Sequence, residues 1–234
     1  MSSRDRSCSY LRTAEAAEAL EPLRYNVAAR CFRSGVFATK LAGFKMLLAG
    51  CGALVRGGGA AGAPPPRVCG REWLLSFIRS NGILPAVFSP HGEKELIQRS
   101  GDLLRLLVGN DAVRPLSTAL AVSDVGLVWS VHEGKNLDTI VALTGVLVEV
   151  VPSMSLEQMS ALTDCILAVP RPDVVEPSVG LLAAIARVPR APSPRVLDAL
   201  WAMAAEESGC AAARYGYAFA VAAPHSSCAN PCVT

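Results

Sequence analysis

Apolar positions recur at helical spacing through most of the chain, and the strict alternation of a half-buried strand is nowhere sustained. Trp73, Leu74, Phe77 and Ile78 line a helix predicted from Arg71 to about Ser80, and Asn81-Gly82 supplies a left-handed stop. A short apolar segment, Ile83 to Phe88, ends at Ser89-Pro90-His91-Gly92. The next helix is expected from Glu93 to Val108, with Leu96, Ile97, Leu103, Leu104 and Leu107 inward and Gly109-Asn110 as its stop. Helices follow from Ser123 to His132, Leu137 to Val151 and Ser155 to Val169. Pro152 closes the second of these. Ser155 opens the third, and Gln158 three residues on completes a capping box ahead of Leu156, Met159, Leu162 and Ile166. Beyond Pro170-Arg171-Pro172, Pro177 leads a helix through Leu181, Leu182 and Ile185, and a last helix spans Pro194 to Glu207. The run Val146, Leu147, Val148, Val150 and Val151 has strand-forming residues but lies inside a long helical period. The pattern is that of an all-α fold.

One small pattern comes twice. Val125, Val128 and Trp129 sit at i, i+3 and i+4 after the helix-start signal Ser123-Asp124, and Leu197, Leu200 and Trp201 do so after Ser193-Pro194. A repeated helical unit predicts an armadillo/HEAT-like helical-repeat superhelix, a solenoid whose surface binds other macromolecules. Ahead of it, helices are expected from Thr13 to Leu20, Tyr25 to Phe32 and Thr39 to Val55, the last with Leu41, Phe44, Leu47 and Leu48 on one face. Gly57-Gly58-Gly59 through Pro64-Pro65-Pro66 reads as a linker. The expected organisation is therefore an N-terminal helical segment (1–56), a Gly/Pro linker (57–70), the repeats (71–207) and a disordered tail (208–234). Solenoids need polar caps, and neither end has an obvious one, so dimers or continuation into more protein are expected.

Composition narrows the function classes. Hydrophobic residues make up 51% and charged ones 18%, enough apolar material for a sizeable core. A net charge of +2, scattered basic residues and few aromatics argue against nucleic acid. Leu41 to Val55 is interrupted by Lys45 and three glycines and falls short of the roughly 20 residues a bilayer requires, so no membrane partner is expected. The eight cysteines form no CxxC, and His91, His132 and His225 never fall at zinc-ligand spacing from a cysteine pair. Reduced, buried thiols and a cytoplasmic setting follow, with no metal and no cofactor.

Candidate chemistry is thin. Gly57 to Gly62 lacks the GK[ST] of a phosphate loop, and Asp102, Asp111, Asp124 and Asp138 are too dispersed for a paired-carboxylate site. Cys165, within Asp164-Cys165-Ile166, reads as a structural thiol, and His132 as a histidine at a helix end. No catalytic residue is assigned. The candidate partner-binding residues are Trp73, Trp129 and Trp201, because Trp is enriched at interface hot spots. Arg187, Arg190 and Arg195, set among Pro189, Pro192 and Pro194, are candidates for recognising an acidic partner.

From Tyr25 onward the chain resembles the helical-repeat region of the giant ubiquitin-specific proteases of the fat-facets type. The resemblance begins at Arg30-Cys31-Phe32-Arg33-Ser34-Gly35-Val36-Phe37-Ala38-Thr39-Lys40. Glu72-Trp73-Leu74 with Asn81-Gly82-Ile83-Leu84 is similar to the family's "EW…N.IL" segment, and Leu127-Val128-Trp129 with Glu133-Gly134-Lys135 to its "IW…GKH" helix end. Ser155, Leu162 and Asp164-Cys165 are similar to the next helix, and Val196-Leu197 with Leu200-Trp201 to "VL..LW". The resemblance covers Tyr25 to Glu207. It implies an armadillo-like recognition surface in the ubiquitin system, placed upstream of a papain-like cysteine peptidase domain. None of the eight cysteines has the family's GNTCYxNS context, and no GHY follows His132. The expected function is thus a non-catalytic scaffold that binds protein partners in the deubiquitination system. Two alternatives stand beside it: a fragment of a cysteine-type deubiquitinase whose peptidase domain lies outside this chain, and an unrelated armadillo/HEAT adaptor.

Overall fold

The computed structural model describes residues 20–57, 69–89, 92–108, 120–170, 173–189 and 193–205. Their regular structure is helical, with no strand among the described residues. The run from Val146 to Val151, with its strand-forming side chains, is helical. The helices sort into two compact units that divide near residues 109–120. Most of the Gly/Pro segment (58–68), the expected tail (208–234), residues 13–19 and the stop at Gly109-Asn110 lie outside the described residues.

In the first unit, α1 is described over residues 20–32 and runs without a break across the gap expected between Leu20 and Tyr25. It packs against α2 (Phe37–Gly57) at very short range. A Cβ on Gly43 would lie 2.5 Å from both the Ala28 carbonyl oxygen and the Phe32 backbone nitrogen, and one on Gly50 would meet the Tyr25 ring. Glycine lets the two backbones approach, and Phe32 of α1 meets Phe44 of α2 with ring centroids 5.6 Å apart. Two of the glycines that interrupt the apolar stretch, Gly43 and Gly50, are thus packing positions.

α3 (Arg71–Ser80) ends as its sequence predicts. Gly82 has φ +61°, and the Asn81 side-chain amide donates to the Phe77 carbonyl at 2.9 Å. Arg33 donates to the Asn81 side-chain oxygen at 2.7 Å, tying the turn after α1 to this helix end. The segment after it forms a short helix, α4 (Ile83–Val87). The long helix expected from Glu93 to Val108 is instead two, α5 (Lys94–Arg99) and α6 (Gly101–Val108). Ser100 is the reason. It is buried, has ψ near 0°, and its hydroxyl and backbone N–H both donate to the Ile97 carbonyl, at 2.7 and 3.0 Å. A serine that bonds backwards in this way competes with the helix, and Gly101 follows it. α6 lies on α2 and buries Leu103, Leu104, Leu106, Leu107 and Val108.

The second unit opens with α7 (Val122–Ser130), one residue before the Ser123-Asp124 signal. Ala121 has no side-chain acceptor, and the Asp124 carboxylate instead accepts the Ala121 N–H at 3.0 Å. α8 (Leu137–Val150) starts from Asn136, whose side-chain oxygen accepts the Thr139 N–H at 3.0 Å, and Pro152 sits in the 3-10 turn Val151–Ser153 that ends it. α9 (Leu156–Leu167) carries the predicted capping box: Ser155 Oγ accepts from the Gln158 N–H, and Gln158 Oε1 accepts the Ser155 N–H at 2.8 Å. α10 (Glu176–Ala186) has Pro177 in its first turn, and α11 (Ser193–Ala205) follows.

Packing in this unit skips a helix. α7 lies on α9, and α8 lies on α10, which also contacts α9 and α11. Gln158 secures the first of these contacts. It is 1% exposed, and its amide donates to the Leu120 carbonyl just ahead of α7 at 2.8 Å. A buried amide that both caps its own helix and holds the start of another leaves little polar capacity unmet.

Candidate functional site

The three tryptophans occupy different environments. Trp73, half-buried on α3, stacks on Phe77 with ring centroids 5.0 Å apart and meets Tyr25 at 5.4 Å, an aromatic cluster that fastens α1 to α3. Trp129 is 3% exposed at the end of α7. Its indole stacks on the His132 ring at 4.6 Å, and His132 Nδ1 lies 2.7 Å from the Trp129 carbonyl oxygen. Trp129 and His132 therefore finish a helix C-terminus. The Trp129 Nε1 hydrogen is buried without an acceptor, a local cost carried by the packing.

Trp201 is different. It is 58% exposed on α11, while Val196 and Leu200 are fully buried. The inward stripe of α11 is set by positions 196 and 200, one residue out of phase with the stripe that buries Val125, Val128 and Trp129 on α7. The two triads that match in sequence are thus not equivalent in burial: the first tryptophan packs and the second faces out.

Trp201 shares an exposed face with Pro194, Asp198 and Ala205, at i, i+4, i+7 and i+11. Arg195, in the first turn of α11, forms an ion pair with Asp164 of α9. Both partners are more than half exposed, so the pair positions α11 more than it stabilises it. Arg187, exposed, caps the C-terminus of α10, where a cation complements the helix dipole. Arg190 lies outside the described residues. What the arrangement offers is an amphipathic anchor, one outward indole on a helix that packs on α10.

Three thiols, Cys51, Cys69 and Cys165, are shifted toward the protonated form. Burial, reinforced by the nearby Asp102 carboxylate, pushes the Cys51 thiol up to about 12. Cys165 is raised by burial and then by Asp164, and Cys69 by burial and then by Glu21. Each shift works against the thiolate that a nucleophile needs. Among the described residues no group of three or more His, Cys, Asp and Glu side chains is placed to hold a metal ion, and no helix is long and apolar enough to cross a membrane.

Sequence reasoning missed one surface. Leu137, Val141 and Val148 of α8 stand exposed in a line, although Ile140, Leu143, Leu147 and Val150 bury the opposite face. The signal was available: a helix that is apolar on all sides needs either complete enclosure or a second partner. Compared with known proteins, the chain matches no protein-family model and no curated sequence.

Proposed function

We propose that the chain is a non-catalytic, cytoplasmic scaffold of armadillo-like helical repeats that binds protein partners in the ubiquitin system. The observation that carries the scaffold reading is the skipped packing of the second unit, α7 on α9 and α8 on α10, which is how successive helical hairpins stack in a solenoid. Trp201, outward on α11, supplies the kind of rigid amphipathic anchor that dominates protein–protein affinity. The ubiquitin-system part rests on the resemblance to the helical region of the giant fat-facets-type proteases.

The raised thiol of Cys165 works against that residue as a nucleophile. The test uses the whole chain on a sensor surface with ubiquitin, linked ubiquitin chains and ubiquitin-conjugated protein as analytes. Binding is expected, and Trp201→Ala should weaken it by about tenfold or more while the helical circular dichroism stays the same. A ubiquitin–fluorophore substrate should show no turnover. Turnover that disappears in Cys165→Ala would overturn the non-catalytic reading. Binding confined to proteins outside the ubiquitin system would keep the scaffold and reassign it to the unrelated-adaptor class.

A further inference from the structure

The α1–α2 hairpin concentrates positive charge. From Leu20 to Gly57 the sequence has six basic residues, Arg24, Arg30, Arg33, Lys40, Lys45 and Arg56, against one acidic, Glu21, although the whole chain carries only +2. Lys40 is offset by Glu93 at 3.6 Å, and Glu21 is turned toward the Cys69 N–H at 3.4 Å. Arg24, Arg30 and Lys45 are exposed and have no carboxylate partner among the described residues. Arg33 bonds the neutral side-chain oxygen of Asn81, so its charge also stands uncompensated. The same hairpin exposes apolar side chains. Leu20, Leu23 and Val27 of α1 fall at i, i+3 and i+7, with Arg24 one turn beyond Leu20 and Arg30 one turn beyond Val27. Val36 and Phe37 are exposed where the chain turns into α2, and Met46 is exposed next to Lys45.

We infer that this hairpin docks on an anionic lipid surface, lying in the plane of the headgroups. Charge selects an anionic occupant, because a face with uncompensated cations and no exposed carboxylate of its own repels basic surfaces and a second copy of itself. The mixing of charge with apolar residues then selects a bilayer among anionic occupants. Arg30 falls at i+7 from Leu23 and i+3 from Val27, within the apolar line and not at its rim. A protein interface excludes charge from its centre, since a buried guanidinium there needs a carboxylate placed opposite it. A bilayer makes no such demand: aliphatic side chains enter below the phosphates while arginine and lysine stems extend up to them. Cations near a negative leaflet and shallow insertion of Leu20, Leu23 and Val27 are two signals that together give stable surface binding. The contact lies on the membrane and needs no spanning helix, and the described residues contain none. It belongs to the first unit and is separate from Trp201 in the second.

The full chain is tested by co-sedimentation with vesicles of phosphatidylcholine alone and with added phosphatidylserine, in low and high salt. Binding to the mixed vesicles is expected to exceed that to the neutral ones by about tenfold or more, and to weaken as salt screens the headgroups. Arg24→Gln and Arg30→Gln alter exposed positions, so both variants should keep the circular dichroism of the parent, and each should weaken binding by about fivefold. Leu23→Ser should weaken it by a similar factor and leave the salt dependence as it is, which a purely electrostatic contact would not show. Arg99→Gln, at an exposed arginine of α5, should change nothing. Soluble phosphoserine should not compete, and single-stranded RNA and polyglutamate stand in for other anionic partners. A chain that ignores the mixed vesicles in low salt, binds neutral ones equally well, or is indifferent to both arginine changes would overturn the inference. Tighter binding to RNA or polyglutamate than to vesicles would also overturn it and reassign the face to an acidic macromolecule.

Discussion

The same substitution, glycine to alanine within a helix, should have opposite signs at two positions. Alanine is favoured over glycine in a helix interior by about 1 kcal/mol. At Gly180, on the exposed side of α10, an added Cβ meets nothing within 4 Å, so most of that preference should appear as stability. Gly180→Ala is expected to stabilise the second unit by about 0.5–1 kcal/mol. At Gly43 the added Cβ would lie 2.5 Å from the Ala28 oxygen, 2.5 Å from the Phe32 nitrogen and 2.8 Å from Cys31 Cβ. Two of these are backbone atoms of α1 and cannot rotate aside. Relief requires α1 to move off α2 by about 1 Å, which opens gaps around Phe44 and Leu47. Overpacking of this kind costs about 1–3 kcal/mol, which outweighs the propensity gain. Gly43→Ala should therefore destabilise the first unit by about 1–2 kcal/mol. Urea titration followed by circular dichroism, with limited proteolysis to report on each unit separately, measures both. A Gly43→Ala chain as stable as the parent or more so would refute the close approach of α1 and α2.

Other expectations follow from single groups. Gln158→Leu removes the acceptor for the Ser155 N–H and the donor for the buried Leu120 carbonyl, so the second unit should lose about 2–3 kcal/mol by denaturant titration; a change below about 0.5 kcal/mol would show that neither bond matters. Burial raises the pKa of Cys51 in the folded chain to about 12 from the ordinary 9.0, so its contribution is intact below pH 9. As pH rises from 9 toward 12 the unfolded chain gives up a proton that the folded one keeps, and stability of the first unit should fall, by about 1 kcal/mol at pH 10. Cys51→Ala should flatten that part of the pH profile, and an unchanged slope would assign it to other groups. Arg195→Ala should change stability by less than about 1 kcal/mol, because the ion pair with Asp164 is exposed; a larger loss in thermal melts would mean that α11 depends on that pair.

Much of the local structure is legible in the sequence because local chemistry sets it. The bounds of α3, the left-handed Gly82 and the Ser155–Gln158 box each depend on residues within one helical turn of each other. The departures have tertiary causes. Ser100 breaks a long apolar run because, once buried, its hydroxyl has the Ile97 carbonyl as its partner, and nothing in the apolar spacing marks that. Gly43 and Gly50 look like flaws in a helix until α1 is laid against them. The matching triads around Trp129 and Trp201 share a helical period, but which side of a helix meets its neighbour is decided by the neighbour. For the same reason the apolar residues of α8 show that more than one side needs cover, but not that Leu137, Val141 and Val148 are the ones left exposed.

The skipped packing of the second unit also bears on how the chain is made. A helix that rests on the next but one cannot settle when it leaves the ribosome, nor when its hairpin partner does. Leu120 waits for Gln158, which is synthesised 38 residues later, and α8 waits for α10. The nascent unit should therefore gain protection in steps, first as α9 emerges and again with α10, with α7 and α8 exposed in the interval. Synthesis at roughly 5–20 residues per second makes that interval a matter of seconds. During it the apolar inner face of α8 is as open to chaperones as its outer stripe is in the finished fold.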